Sequence, residues 1–323
     1  MNKKLEEKVV RAFADIMVKR IEEFKGDWHK PWFTEGTLGC PCSIKGRKYH
    51  GVNRVMLSML CEVKNYSTPR FTTFKALQEY NRDEPEKPVL IKKGEKAFPV
   101  FYYITSYWNA DGQITADEYD NLSPEVKLTY KRYVATKVLN VFNVEQTNIQ
   151  ETRPAIWSTW QQPNQRKSNT EQYIFPPLDT MIETDEWICP IKPQKQDQAY
   201  YSVSKNEIII PMKEQFEKDE FFYSTLLHEM AHSTGAANAL NRLRPCAFGS
   251  EEYAREELVA ELTAAVVGQH YGIVKELNKD AVPYCKSWLK AIRANPAYIF
   301  NVLNEVNKAQ ELIIVHIEDQ KKA

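Results

Sequence analysis

Several things are scarce in this chain of 323 residues, and each absence narrows the reading. No apolar run approaches the ~20 residues that a membrane-spanning helix needs. The start, Met1 to Lys8, is basic but continues as a charged amphipathic helix, not as the apolar stretch of a secretory signal. We therefore expect no membrane partner and a cytoplasmic location. Net charge is also absent, with 43 Lys and Arg against 43 Asp and Glu. The six cysteines, Cys40, Cys42, Cys61, Cys189, Cys246 and Cys285, are scattered, which argues against a disulfide framework and for reduced thiols. Cys40-Pro41-Cys42 has one intervening residue and no second pair, so it reads as a turn rather than a metal or redox site. No internal repeat is visible.

The zero balance hides a split. Residues 1–150 hold 24 Lys and Arg against 19 Asp and Glu, and the remainder reverses these numbers. A basic front and an acidic back point to different partners.

The chain is organised around Leu226-Leu227-His228-Glu229-Met230-Ala231-His232. On a helix, His228 and His232 lie one above the other on one face, and two imidazoles so placed bind one Zn²⁺. Glu229, one step round, is placed to take a proton from water at the ion rather than to bind the ion. Asp219 and Glu220 suit a first helical turn. Phe222, Leu226, Leu227, Met230 and Ala231 form an apolar stripe, and Gly235 follows as a stop.

Zinc needs a third protein ligand, and residues 250–262 offer candidates on a second helix opened by Ser250. Val259, Leu262 and Val266 are its core stripe. Glu257 and Glu261 share a face with Ala264 and Gly268, whose small size lets another helix approach. We assign Glu257 to the metal and Glu261 to holding a ligand histidine by its other ring nitrogen. The reverse assignment stays open, and Glu256 comes third, as a solvated side chain. Upstream, Lys205-Asn206 reads as a hairpin turn and Ile208 to Ile210 as an edge strand ending at Pro211, able to pair with an extended peptide.

Taken in order, residues 3–25 read as a helix buried through Leu5, Val9, Phe13, Ile16 and Phe24. An aromatic cluster with basic residues follows at 28–33. Residues 45–54 are basic and punctuated by glycine, a pattern that holds a phosphate backbone while an aromatic stacks on a base. Thr72 or Thr73 caps a short helix. Lys92, Lys93 and Lys96 mark a basic turn before a strand at 98–104, and 138–144 returns as a strand. Residues 106–133 are polar and look like an insertion. Residues 151–180 read as a linker or strap. Helices at about 280–293 and 297–316 close the chain. The fold class is α+β: a front domain at 1–150 and a back domain at 181–323.

With these segments set out, the chain resembles the ArdC-type antirestriction proteins of conjugative plasmids and mobile elements. The likeness rests on residues 28–32, 49–53, 71–74, 93–96 and 141–146 in front. Behind, it rests on 228–235, 241–243, 248–250 and 253–262. It implies a single-stranded-DNA-binding front domain and a zincin-like metallopeptidase back domain that together protect incoming DNA from host restriction. The chain departs from the family at 106–133 and at Cys40-Pro41-Cys42. Two functions follow as expectations. One is a zinc peptidase with an unread protein or peptide substrate, metal ligands His228, His232 and Glu257, and base Glu229. The other is a DNA-protecting protein whose zinc domain is structural or inert. For DNA contact we expect phosphates on Lys45, Arg47, Lys48, Lys92, Lys93 and Lys96. Bases would stack on Trp32, Tyr49 and Phe71, beside Asn53.

Overall fold

The computed structural model describes residues 3–27, 31–33, 39–82, 84–161, 173–273, 275–277 and 279–321. The front half runs α1 (Lys3–Gly26), β1 (Cys42–Ser43), α2 (Gly51–Lys64), β2 (Arg70–Thr72), α3 (Phe74–Tyr80), β3 (Phe98–Asn109), β4 (Gly112–Thr115), α4 (Ala116–Asp120), α5 (Pro124–Lys127) and β5 (Lys131–Asn143). Short helices α6 (Ile149–Thr152), α7 (Pro154–Gln161) and α8 (Pro176–Thr184) follow. The back half adds β6 (Ile191–Gln194), β7 (Tyr200–Ser202), β8 (Glu207–Pro211), α9 (Asp219–Ser233), α10 (Glu251–Tyr271), α11 (Cys285–Ala294) and α12 (Ala297–Gln320). The architecture is α+β.

In α1, Val9, Phe13, Met17, Ile21 and Phe24 repeat at three- and four-residue spacing and are all buried; the side chain of Leu5 lies outside the described residues. They meet α2, α11 and α12, and the cluster continues through Leu258, Val259, Leu262 and Val266 of α10. The front and back halves therefore share one apolar core. A second cluster joins α8, β6, β8 and α9 to the other side of α10.

The front sheet has the order β1-β2-β5-β3-β4. Its spine is the antiparallel pair β3 and β5, in register from Phe98 opposite Val141 to Trp108 opposite Lys131. Most of the expected insertion is thus the outer reach of these two strands with β4 and two short helices at the tip. Both faces of this reach meet solvent, so the two-residue alternation that reveals a half-buried strand is missing. The expected strap is also partly helical, as α6, α7 and α8; residues 162–172 lie outside the described set. Thr73 is the cap of α3, its hydroxyl accepting from Ala76 N at 3.1 Å.

The back sheet has the order β6-β8-β7. The expected edge strand, β8, is therefore central, and Ile208, Ile209 and Ile210 are buried on it. The hairpin turn is as read: Asn206 adopts φ 50°, and β7 pairs antiparallel with β8. The edge beside the histidine helix is β7. No helix among the described residues is long and apolar enough to cross a membrane.

Candidate metal centre

Helix α9 carries acidic residues in its first turn and buries Phe222, Tyr223, Leu226, Leu227, Met230 and Ala231. Its histidine face turns to α10. Helix α10 is capped by Ser250, whose hydroxyl accepts from Tyr253 N at 3.1 Å. Gly235 does not end α9 by a left-handed turn. It is needed because residues 241–243 fold back on it: a Cβ there would lie 2.7 Å from Leu243 Cγ. The backbone N–H groups of Arg242 and Leu243 both donate to Gly235 O.

That return loop delivers Arg242, which the sequence reading missed. Its guanidinium donates to both oxygens of Glu256, at 3.0 and 2.8 Å, and to Ala231 O at 2.6 Å near the end of α9. Glu256 in turn lies 3.2 Å from His232 Nδ1. The expectation that Glu256 is solvated is therefore wrong: only 15% of its side chain is exposed. Its neighbour at 257 hid this, since adjacent carboxylates differ only in which way the helix turns them.

The two imidazoles present their Nε2 atoms to each other at 3.1 Å. Glu257 adds oxygens 3.6 Å from each. On the far side of His228, Nδ1 lies 3.2 Å from Glu261 Oε1. Glu261 is fully buried and accepts from Trp32 Nε1 at 3.0 Å and Lys275 Nζ at 3.2 Å. Each histidine thus has a carboxylate beside Nδ1, hydrogen-bonded at His232 and 3.2 Å away at His228; a proton held there would turn the Nε2 lone pair toward a metal.

The donor set fits a divalent cation. A tetrahedral site with bonds of about 2.0–2.1 Å sets its donors about 3.3 Å apart; here the two Nε2 atoms lie 3.1 Å apart, each has a different Glu257 oxygen at 3.6 Å, and one donor atom from each of the three side chains lies within 4.8 Å of the others. In the metal-free chain a proton on His228 takes the place of the ion, and a metal would displace it. Charge agrees: four carboxylates (Glu229, Glu256, Glu257, Glu261) against two cations (Arg242, Lys275) leave two formal negative charges. The same field shows in the acidities. Burial would push His228 down, yet Glu257 and Glu261 raise it to about 10. Burial would raise Glu257, but His232 and His228 hold it at about 2. Lys275, His228 and Trp32 overcome burial to bring Glu261 to about 2.

His228, Glu229 and His232 face a cleft of about 660 Å³ that β7 borders through Tyr200 and Tyr201. Residues 7–144 match the family described as the N-terminal domain of anti-restriction factor ArdC, and residues 181–304 match the zincin-like metallopeptidases. The chain thus joins an ArdC N-terminal domain to a zincin-like metallopeptidase domain, the two matches together spanning most of its length. Its fold is similar to that of the antirestriction ArdC protein from plasmid R388. The metal-free structure gives a TM-score of 0.66, at 23% identity, over 95% of this chain and 98% of that one. The Mn(II)-bound structure gives 0.64, over 94% and 97%. Two DNA primases TraC of Escherichia coli are each 26% identical over 95% of the chain, which spans only 27% and 20% of their lengths. An uncharacterized protein, y4eC, of Sinorhizobium fredii is 25% identical over 92% of this chain and 87% of its own.

The front half of the chain redistributes the residues expected at DNA. Trp32 is fully buried and serves Glu261 instead of a base. Phe71 is fully buried as well, since β2 is covered on that side. Asn53 is buried and bonds both the N–H and the carbonyl of Phe101. Tyr49 is half-buried, edge-on to Phe71 at 6.3 Å, and burial pushes its phenol up to about 12. Trp32, Phe71 and Asn53 are therefore structural, because they complete the core beneath the basic loop, while Tyr49 stays partly exposed beside it. Lys45, Arg47, Lys48, Lys92, Lys93 and Lys96 are exposed, Lys45 with Glu79 at 3.3 Å. Trp28 lies outside the described residues.

Proposed function

We propose that this chain is a single-stranded-DNA-binding, zinc-dependent peptidase that protects incoming DNA from host restriction. The observation that carries the reading is the convergence of His228, His232 and Glu257 at one side of a cleft that also holds Glu229. On this reading the three side chains hold the ion, and a divalent metal there supplies Lewis acidity toward water and toward a carbonyl. Glu229 takes the proton from the attacking water and passes it to the leaving amine. Glu256 and Glu261 keep the imidazoles in their inward tautomers, and Arg242 holds Glu256 in place. An extended peptide pairs its backbone with β7, which has no second strand partner among the described residues. The basic front half supplies the DNA contact, and the division into residues 1–150 and 181–323 is one of role, across a shared core.

Supporting an open, working site over a structural one is the donor type. Structural zinc sites are usually closed and rich in cysteine, whereas two histidines and a glutamate leave a position for water. The test is cleavage of an unfolded protein such as casein by the zinc-loaded chain, with and without an oligonucleotide. Cleavage abolished by Glu229→Gln supports the reading. No cleavage by the unaltered chain in either condition, with zinc and oligonucleotide both bound, would favour a protective protein with an inert metal domain.

A further inference from the structure

Burial of Trp32 and Phe71 leaves the half-buried Tyr49 and the exposed Phe74 as the rings the expected DNA surface could offer to bases. Among the described residues, the other four exposed aromatics of the front half lie elsewhere, on the β3–β5 arm: Tyr102, Tyr103, Trp108 and Tyr133 are 41 to 52% exposed. Register sorts them. Trp108 stands opposite Lys131 and Tyr102 opposite Lys137, and Tyr133 lies two positions along from Lys131. Alternation then puts Tyr102, Trp108, Lys131, Tyr133 and Lys137 on one face. Trp108 and Tyr133 meet edge-to-face at 6.5 Å beside an open cleft of about 930 Å³. The other face is partly occupied at its outer end, where Tyr107 stacks on Tyr119 of α4 at 3.6 Å.

Charge separates along the arm. Strands β3, β4 and β5 contain no Asp or Glu and carry Lys131, Arg132 and Lys137. The acids sit at the tip, in α4, in α5 and at Asp111. A face with three aromatic rings, two lysines and no carboxylate matches a single strand of nucleic acid, whose bases stack and whose phosphates pair with cations. Tyr102 and Trp108 are six residues apart, about 20 Å along the strand, a span suited to several nucleotides.

We infer that this face of the arm is the base-stacking platform for single-stranded nucleic acid, with the basic loop residues as additional phosphate contacts. The inference rests on the DNA-binding reading above and names its surface. The experiment uses the full chain and a labelled oligo(dT), with anisotropy measured over a range of salt. The pair Trp108→Ala and Tyr133→Ala weakens binding by about 5- to 150-fold for each base that loses its ring. The pair Lys131→Glu and Lys137→Glu lowers the slope of log affinity against log salt by about 1.4, two contacts at about 0.7 each. Zinc content equal to that of the unaltered chain shows that the variants are folded. An oligonucleotide carrying photoreactive bases crosslinks to Trp108 or Tyr133.

Unchanged affinity and slope in both variants, with the unaltered chain binding well, would overturn the arm and leave DNA binding intact. Equal competition by duplex DNA would overturn stacking as its basis. A dimer of the chain that Trp108→Ala and Tyr133→Ala dissociate, with oligonucleotide affinity unchanged, would make the face a contact between copies instead. No binding by the unaltered chain would overturn the DNA reading itself.

Discussion

Replacing Trp32 by Phe separates the structural account from the sequence reading most sharply. The indole is fully buried and donates to Glu261 Oε2 at 3.0 Å, while its ring meets Phe24 edge-on at 4.7 Å. Phenylalanine keeps most of the ring contact and removes only the N–H and part of the volume. A hydrogen bond to a charged group contributes about 1.5–3 kcal/mol, and Glu261, with no exposure, has no water to replace the lost donor. Glu261 then holds His228 less firmly. Removing a group that bonds a metal ligand directly typically costs about 10- to 100-fold in metal affinity; Trp32 acts one contact further out and Glu261 keeps Lys275, so a loss at or below the lower end, about 10-fold, is expected. Chelator competition on Trp32→Phe should show that loss, and oligonucleotide affinity measured on the same preparation should be unchanged. Weakened DNA binding with unchanged metal affinity would refute the reasoning and return Trp32 to the DNA surface.

Glu257→Ala should cost more metal affinity than Glu261→Ala in the same titration, because Glu257 faces both Nε2 atoms and Glu261 only Nδ1 of His228; the opposite order would exchange their roles. Arg242→Met removes the guanidinium from the mostly buried Glu256 and leaves it His232 as a partner; breaking a buried ion pair from one side costs up to about 3–5 kcal/mol, so denaturant midpoints should fall, and a change below about 1 kcal/mol would mean the pair is solvated. Gly235→Ala places a methyl against Leu243 and should displace the 241–243 loop, read as a loss of stability that Leu243→Ala partly restores. In the metal-free chain His228 is raised from 6.5 to about 10, so its stabilising share is present below about pH 6.5 and is lost as pH rises through 10. Metal binding displaces that proton, so metal affinity should rise over the same interval; metal-free stability that rises from pH 6.5 to 10 would contradict the sign.

Much of the centre was legible because it is local. The spacing of His228 and His232, the Ser250 cap and the position of Glu257 on α10 are all properties of a helix read four residues at a time. What escaped depends on distant packing. Trp32 meets Glu261 across 229 positions, and nothing in the spacing of residues 28–33 distinguishes a ring that stacks on a base from one that bonds a carboxylate. Asn53 likewise has its partner at Phe101. Glu256 was misjudged because its environment is made by Arg242, from a loop that returns over Gly235. The arm was hidden for the opposite reason: with both faces wet, its strands show no apolar alternation to detect. The place of β8 in its sheet depends on the parallel pairing with β6, which a hairpin pattern does not reveal.

The central claim is that His228, His232 and Glu257 hold one metal ion while Glu229 does not. Metal stoichiometry by mass spectrometry, on the unaltered chain and on His228→Ala, His232→Ala and Glu229→Gln, tests it directly. One zinc per chain is expected in the unaltered protein and in Glu229→Gln, and almost none in either histidine variant. Full metal content in both histidine variants, or its loss in Glu229→Gln, would contradict it.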